Sequence, residues 1–144
     1  MRWFNRLFGD GALIQGIDHV AIVVSDMDRA IEFYGGVLGL IVHRDGRAEG
    51  GEKKTFLGTS TRSLVALTEN KERSERKAGI EGVAHVAFKV ADVNTASKAL
   101  REKGIRFIEE KLDREGKGYA YHFLDPDGLE LEIYGDIGEP VPPY

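Results

Sequence analysis

The chain has 144 residues, 42% of them hydrophobic and 31% charged, with 18 Gly, no Cys and a formal net charge of −4. That length and apolar content support one packed domain, or two small repeats sharing a core, and exclude a disordered chain. Without cysteine there is no disulfide framework, thiolate metal site or cysteine nucleophile, so any metal must be held by His, Asp or Glu.

The four histidines therefore carry weight. The negative balance argues against nucleic acid and anionic membranes as partners. No apolar run approaches the roughly 18 residues needed to span a bilayer. The opening Met1-Arg2-Trp3-Phe4-Asn5-Arg6-Leu7-Phe8-Gly9 is too short and interrupted for a secretory signal. A cytoplasmic protein is the expectation.

Residues 1–15 form an N-terminal amphipathic segment in which Trp3, Phe4, Leu7 and Phe8 make one apolar stripe, expected to dock on the domain itself or on a partner subunit. Ile17 to Val24 is β-branched and reads as a buried strand. Asp26 reads as an N-cap, followed at helical spacing by Ala30, Phe33, Tyr34, Val37 and Leu38, with Gly35, Gly36 and Gly39 closing the helix. Strands are predicted at Leu40 to Arg44, Lys54 to Leu57 and Ser63 to Thr68, completing a first module over 16–68. The Gly-rich stretch Asp45 to Lys54 reads equally as a flap or a solvated hairpin. Residues 69–82 are a charged linker, whose basic residues are interleaved with acids and so give no net attraction for phosphate.

The second module, 83–135, repeats the order. A strand runs from Val83 to Val90, an Asp92-capped helix reaches Lys103, and strands fall near Arg106 to Glu109, Tyr119 to Leu124 and Leu129 to Tyr134. The tail 136–144 is polyproline-like. A shift of 66 residues superposes Asp18-His19-Val20-Ala21-Ile22-Val23-Val24-Ser25-Asp26 on Ala84-His85-Val86-Ala87-Phe88-Lys89-Val90-Ala91-Asp92, with five identities in nine. The fold predicted is α+β, two βαβββ modules, each too small to cover its own sheet and together forming a curved-sheet trough.

The repeat makes His19 and His85 equivalent, and a shared trough would bring them across a pseudo-twofold axis into one metal site. Glu132 lies with Glu130 on the strand face opposite Leu129, Leu131 and Ile133. A carboxylate that deep in a strand needs a cation or hydrogen-bond donors to offset its desolvation, whereas one of the two glutamates can be solvated at the rim. The equivalent of Glu132 in the first module is Ala66, so the symmetry is broken. Two imidazoles and one carboxylate suit Fe(II) or Mn(II), and tolerate Zn, Ni or Co. His122, on the preceding strand, is the candidate catalytic acid or base, with a partly exposed strand histidine as the alternative. His43 is expected at the surface.

These residues resemble the vicinal oxygen chelate superfamily, which contains glyoxalase I, extradiol dioxygenases, fosfomycin-modifying thiol transferases and bleomycin-resistance proteins. The resemblance spans about residues 16 to 135. It rests on Ile17-Asp18-His19-Val20, Ala30-Ile31-Glu32-Phe33-Tyr34, Val37-Leu38-Gly39-Leu40, His85-Val86-Ala87-Phe88 and Phe123-Leu124-Asp125-Pro126-Asp127-Gly128 with Glu132 beyond. It implies His19, His85 and Glu132 as metal ligands and Asp125-Pro126-Asp127-Gly128 as a structural turn. Ala66 stands where glyoxalase I has a Glu, and Ala21 and Gly138 where the thiol transferases have Thr and Arg. By ligand count the chain is most similar to the extradiol dioxygenases. The expectation is a metal-dependent enzyme, a homodimer, taking a small substrate through vicinal oxygens. Glyoxalase-like lyase chemistry and metal-free drug or metabolite binding are the alternatives.

Overall fold

The computed structural model describes residues 17–48, 54–72 and 83–135. The amphipathic segment 1–15, the tip of the Gly-rich stretch, most of the charged linker and the tail 136–144 lie outside the described residues.

Each module folds as a strand, a helix and three more strands. In the first, β1 (Val20–Val24), β2 (Ile41–Arg44), β3 (Lys54–Gly58) and β4 (Ser63–Glu69) form one sheet in the order β1-β4-β3-β2, with β1 parallel to β4 and the other pairs antiparallel. In the second, β5 (Val86–Val90), β6 (Glu109–Leu112), β7 (Gly118–Leu124) and β8 (Glu130–Gly135) repeat that pattern as β5-β8-β7-β6. The predicted α+β architecture is thus observed as two open four-stranded mixed sheets. Neither closes into a barrel, and β1 and β5 are edge strands of separate sheets.

Helix α1 (Met27–Ile31) begins at Asp26, whose carboxylate accepts from Arg29 N–H as the N-cap reading required. The predicted regular helix does not continue beyond it. Residues Glu32–Val37 instead take a π-helical turn, in which the Leu38 amide bonds to the Phe33 carbonyl five residues back. Gly35 and Gly36 weaken the α form there, while Phe33 and Tyr34 are both buried with their rings edge-to-face at 5.2 Å. Gly39, at φ +76°, then turns the chain into β2. Helix α2 (Val93–Glu102) starts from Asp92, which accepts from Thr95 N–H.

Three predicted strands begin three residues later than expected. The first strands of the modules begin at Val20 and Val86, leaving His19 and His85 just ahead of the paired ladder. The strand expected near Arg106 to Glu109 lies instead at Glu109–Leu112, because Ile105 is held to the end of α2 through its bond to the Leu100 carbonyl.

One face of each sheet builds the core. Ile22 and Val24 of β1, Val65 and Leu67 of β4, Phe123 of β7 and Leu131 and Ile133 of β8 are buried there in one continuous cluster with Phe33, Tyr34 and Leu100. Period-two alternation sends Ala21 and Val23 of β1, and Glu130 and Glu132 of β8, to the other faces. The modules are fastened to each other as well. Phe33 meets Phe123 at 6.4 Å between ring centroids, and the buried Tyr34 hydroxyl donates to Asp125 Oδ2 at 2.8 Å. Lys103 Nζ reaches the Gly36 and Val37 carbonyls at the end of the π turn.

Candidate metal centre

The site is built on the non-core face of the second sheet. Alternation along the strands places His85, ahead of β5, on that face with Glu130 and Glu132 of β8 and His122 of β7. Register then sets their neighbours, since Glu132 lies opposite both Ala87 and His122, and His122 lies opposite Glu109 on β6.

Glu132 is 5% exposed, yet it ends between two imidazoles. His85 Nε2 is 3.0 Å from Glu132 Oε2, and His122 Nε2 is 3.3 Å from Glu132 Oε1. The two rings stand nearly perpendicular with centroids 5.3 Å apart. Strand parity puts His85 and Glu132 on one face, and the fold brings them into contact. The burial of His122 goes beyond expectation, because at 2% exposure it is no rim histidine.

Pattern alone leaves the part played by Glu130 open. Its Oε1 is 2.7 Å from His122 Nδ1, with the Glu130 side chain 36% exposed. The signal is present in the spacing. A tight turn between Leu124 and Glu130 makes β7 and β8 a hairpin, and residues of one parity on both arms share a face. That turn is structural, as expected. Asp125 Oδ1 accepts from the Asp127 and Leu129 amides, and Gly128 has φ +83°.

The arrangement suits a divalent cation. Imidazole nitrogens and carboxylate oxygens are the donor set such an ion takes, and His85, His122 and Glu130 each offer a ligand atom within 4.8 Å of the others. His122 Nε2 is moreover buried without a hydrogen bond. Its closeness to Glu132 Oε1 is contact without the angle a hydrogen bond needs.

His19 is not part of that group. In the chain it lies before β1 on the first sheet, its Nδ1 2.7 Å from Asp18 Oδ1 and its ring edge-on to Phe56 at 6.3 Å. The bond to His19 holds the Asp18 carboxyl below the usual carboxylate range. His43 binds locally, its Nε2 donating to the Thr59 carbonyl at 2.6 Å. Ala66, equivalent to Glu132 under the repeat, pairs with Ala21 and Phe56 and is buried.

Comparison with known proteins follows the same lines. The family model described as Glyoxalase/Bleomycin resistance protein/Dioxygenase superfamily matches residues 16–133. The chain is 33% identical over 126 residues to the Bacillus subtilis protein YwkD, covering 85% of this chain and 98% of that one. It is 28% identical to a probable lactoylglutathione lyase from Synechocystis, covering 80% of this chain and 91% of the relative. The crystal structure of a glyoxalase family protein from Enterococcus faecalis superposes with a TM-score of 0.70 at 30% identity, covering 85% of this chain and 99% of that one.

Proposed function

Because the chain belongs to the Glyoxalase/Bleomycin resistance protein/Dioxygenase superfamily, we propose that it is a divalent-metal-dependent enzyme acting on a small substrate held through two adjacent oxygens. The observation that carries this reading is the buried Glu132 carboxylate facing His85 Nε2 at 3.0 Å from a neighbouring strand. An ionised group so placed is costly without a cation beside it. The protein ligands in this reading are His19, His85 and Glu132, and the ion is Fe or Mn, with Zn, Ni or Co as alternatives.

His19 comes from a second copy of the chain. Among the described residues β1 and β5 each stand at one edge of their sheet, and the histidines stand at the start of those strands. Exposed edges carry unpaired backbone donors and acceptors and invite another strand. Val23, at 53% exposure, leaves an apolar position open beside the β1 edge. A cytoplasmic homodimer in which β1 of one copy lies along β5 of the other accounts for these features and forms the expected trough. If so, mixing subunits of His19→Ala and Glu132→Ala restores metal to about a quarter of the wild-type content by random exchange, since half of the dimers then hold one intact site. Sites built within single chains recover none on mixing.

The bound ion would polarise the chelated oxygens and acidify the C–H or O–H groups beside them. Within the chain, Glu132 carries the negative charge that holds the ion, and Glu130 orients His122 through Nδ1. Similarity to the Synechocystis lyase favours glyoxalase-type isomerisation as the reaction. Ring-cleaving oxygenation is the second reading, favoured by the two-imidazole, one-carboxylate set with Ala66 at the repeat position equivalent to Glu132.

The experiment combines elemental analysis of protein purified without chelator with two assays, loss of the methylglyoxal–glutathione hemithioacetal and oxygen uptake with a panel of catechols. Bound metal with either turnover supports the proposal and selects the reaction. Protein without stoichiometric metal that binds a small ligand and turns over neither substrate overturns it in favour of a bleomycin-resistance type binding protein.

A further inference from the structure

We infer that His122 is itself a ligand of the cation, through Nε2, and that Glu130 is the positioning residue that turns its ring toward the ion. The inference rests on the proposed metal centre and extends its ligand set beyond His19, His85 and Glu132.

The tautomer is decisive. Nδ1 of His122 lies 2.7 Å from Glu130 Oε1, so Nδ1 holds the hydrogen and donates it to the carboxylate. The lone pair of the neutral ring is then on Nε2. That atom is buried, accepts no hydrogen bond and stands 3.3 Å from Glu132 Oε1, a second lone-pair donor. Two lone-pair donors held this close in a buried setting repel each other unless something positive lies between them. A proton there would make a hydrogen bond, and the angle for one is not met. A metal ion meets the requirement.

The spacing agrees. Two donor atoms each about 2.1 Å from one ion, subtending between a right angle and the tetrahedral angle, lie about 3.0 to 3.4 Å apart. Glu132 Oε2 is 3.0 Å from His85 Nε2 and Glu132 Oε1 is 3.3 Å from His122 Nε2, so the carboxylate meets each imidazole with a different oxygen. The Glu130–His122 pair has the form of the carboxylate–histidine unit that fixes a metal-binding imidazole. With His122 added to three ligands and Glu132 bound through one oxygen, a six-coordinate ion keeps two places, the number a bidentate oxygen substrate requires.

The test is titration of metal-free protein with Co(II), followed by its visible absorption, which thiolate bands cannot obscure because the chain has no Cys. His122→Gln is expected to weaken Co(II) binding at least 100-fold, and Glu130→Gln by about 10–100-fold, each with an altered spectrum and an unchanged melting temperature without metal. Should His122→Gln fail to fold, the partly exposed Glu130 position decides alone. Wild-type affinity and spectrum in Glu130→Gln, with binding abolished in Glu132→Gln, overturns the role of His122 and leaves the metal enzyme standing. No Co(II) binding by the wild type overturns both.

Discussion

Glu132→Ala protein purified without chelator is expected to carry less than about one tenth of the divalent metal found in the wild type, and His85→Ala to behave alike. Loss of a second-sphere partner alone lowers metal affinity about 10–100-fold, and removal of a direct ligand costs at least that much. Glu132 has the larger part because it is the charged ligand of the set and is 5% exposed, in a setting where charge is weakly screened. A melting assay checks the same point independently. Metal at about 100 times its dissociation constant stabilises a folded protein by about 2.7 kcal/mol, which for a chain of this size raises the melting temperature by about 5–10 °C. Metal-free wild type should show that rise and Glu132→Ala should show none. Full metal content in Glu132→Ala would remove the basis of the functional reading.

Asp125→Ala is expected to cost about 3 kcal/mol of stability, read as a fall in the urea midpoint, without touching a candidate ligand. Its carboxylate accepts from the Tyr34 hydroxyl at 2.8 Å, the Asp127 amide at 2.9 Å and the Leu129 amide at 2.8 Å. Asp125 and Tyr34 are 5% and 0% exposed, so removing the acceptor takes from a buried hydroxyl the hydrogen bond it makes to Asp125, at about 1–3 kcal/mol, in addition to the charged hydrogen bonds lost. Tyr34→Phe should cost less, because it leaves the other two bonds in place. The double variant should fall short of the sum of the single effects by about 0.5–3 kcal/mol, as contacting residues do. Strict additivity would mean that the Tyr34–Asp125 bond does not join the modules. Asp125 thus closes the β7–β8 hairpin with one oxygen and fastens the π turn of the first module with the other. The hairpin in turn sets the mutual placement of His122, Glu130 and Glu132.

Local chemistry makes much of this readable from the residues. The repeat sets the element order, since alternation in Val20 to Val24 and Leu129 to Ile133 can bury only one face, and Asp26 and Asp92 cap the helices that follow the first strand of each module. The same alternation puts Glu130 and Glu132 on one face of β8, while the register of β5 and β7 against β8 brings His85 and His122 to that face. The π turn at Glu32–Val37 is not readable, because its extra residue per turn is stabilised by burying Phe33 and Tyr34 against the other module. Nor is the displaced strand Glu109–Leu112, whose start depends on how α2 ends.

The two βαβββ modules, the cysteine-free ligand chemistry and the equivalence of His19 with His85 are legible in the order of the residues, because periodicity, composition and repetition act within a few residues or by simple counting. The burial of His122 against Glu132, the hold of Glu130 on its other nitrogen and the separate place of His19 beside Phe56 of the first sheet emerge on folding. Those are distances between side chains on different strands. They follow from hairpin register and from the packing of one module on the other, which no local pattern contains.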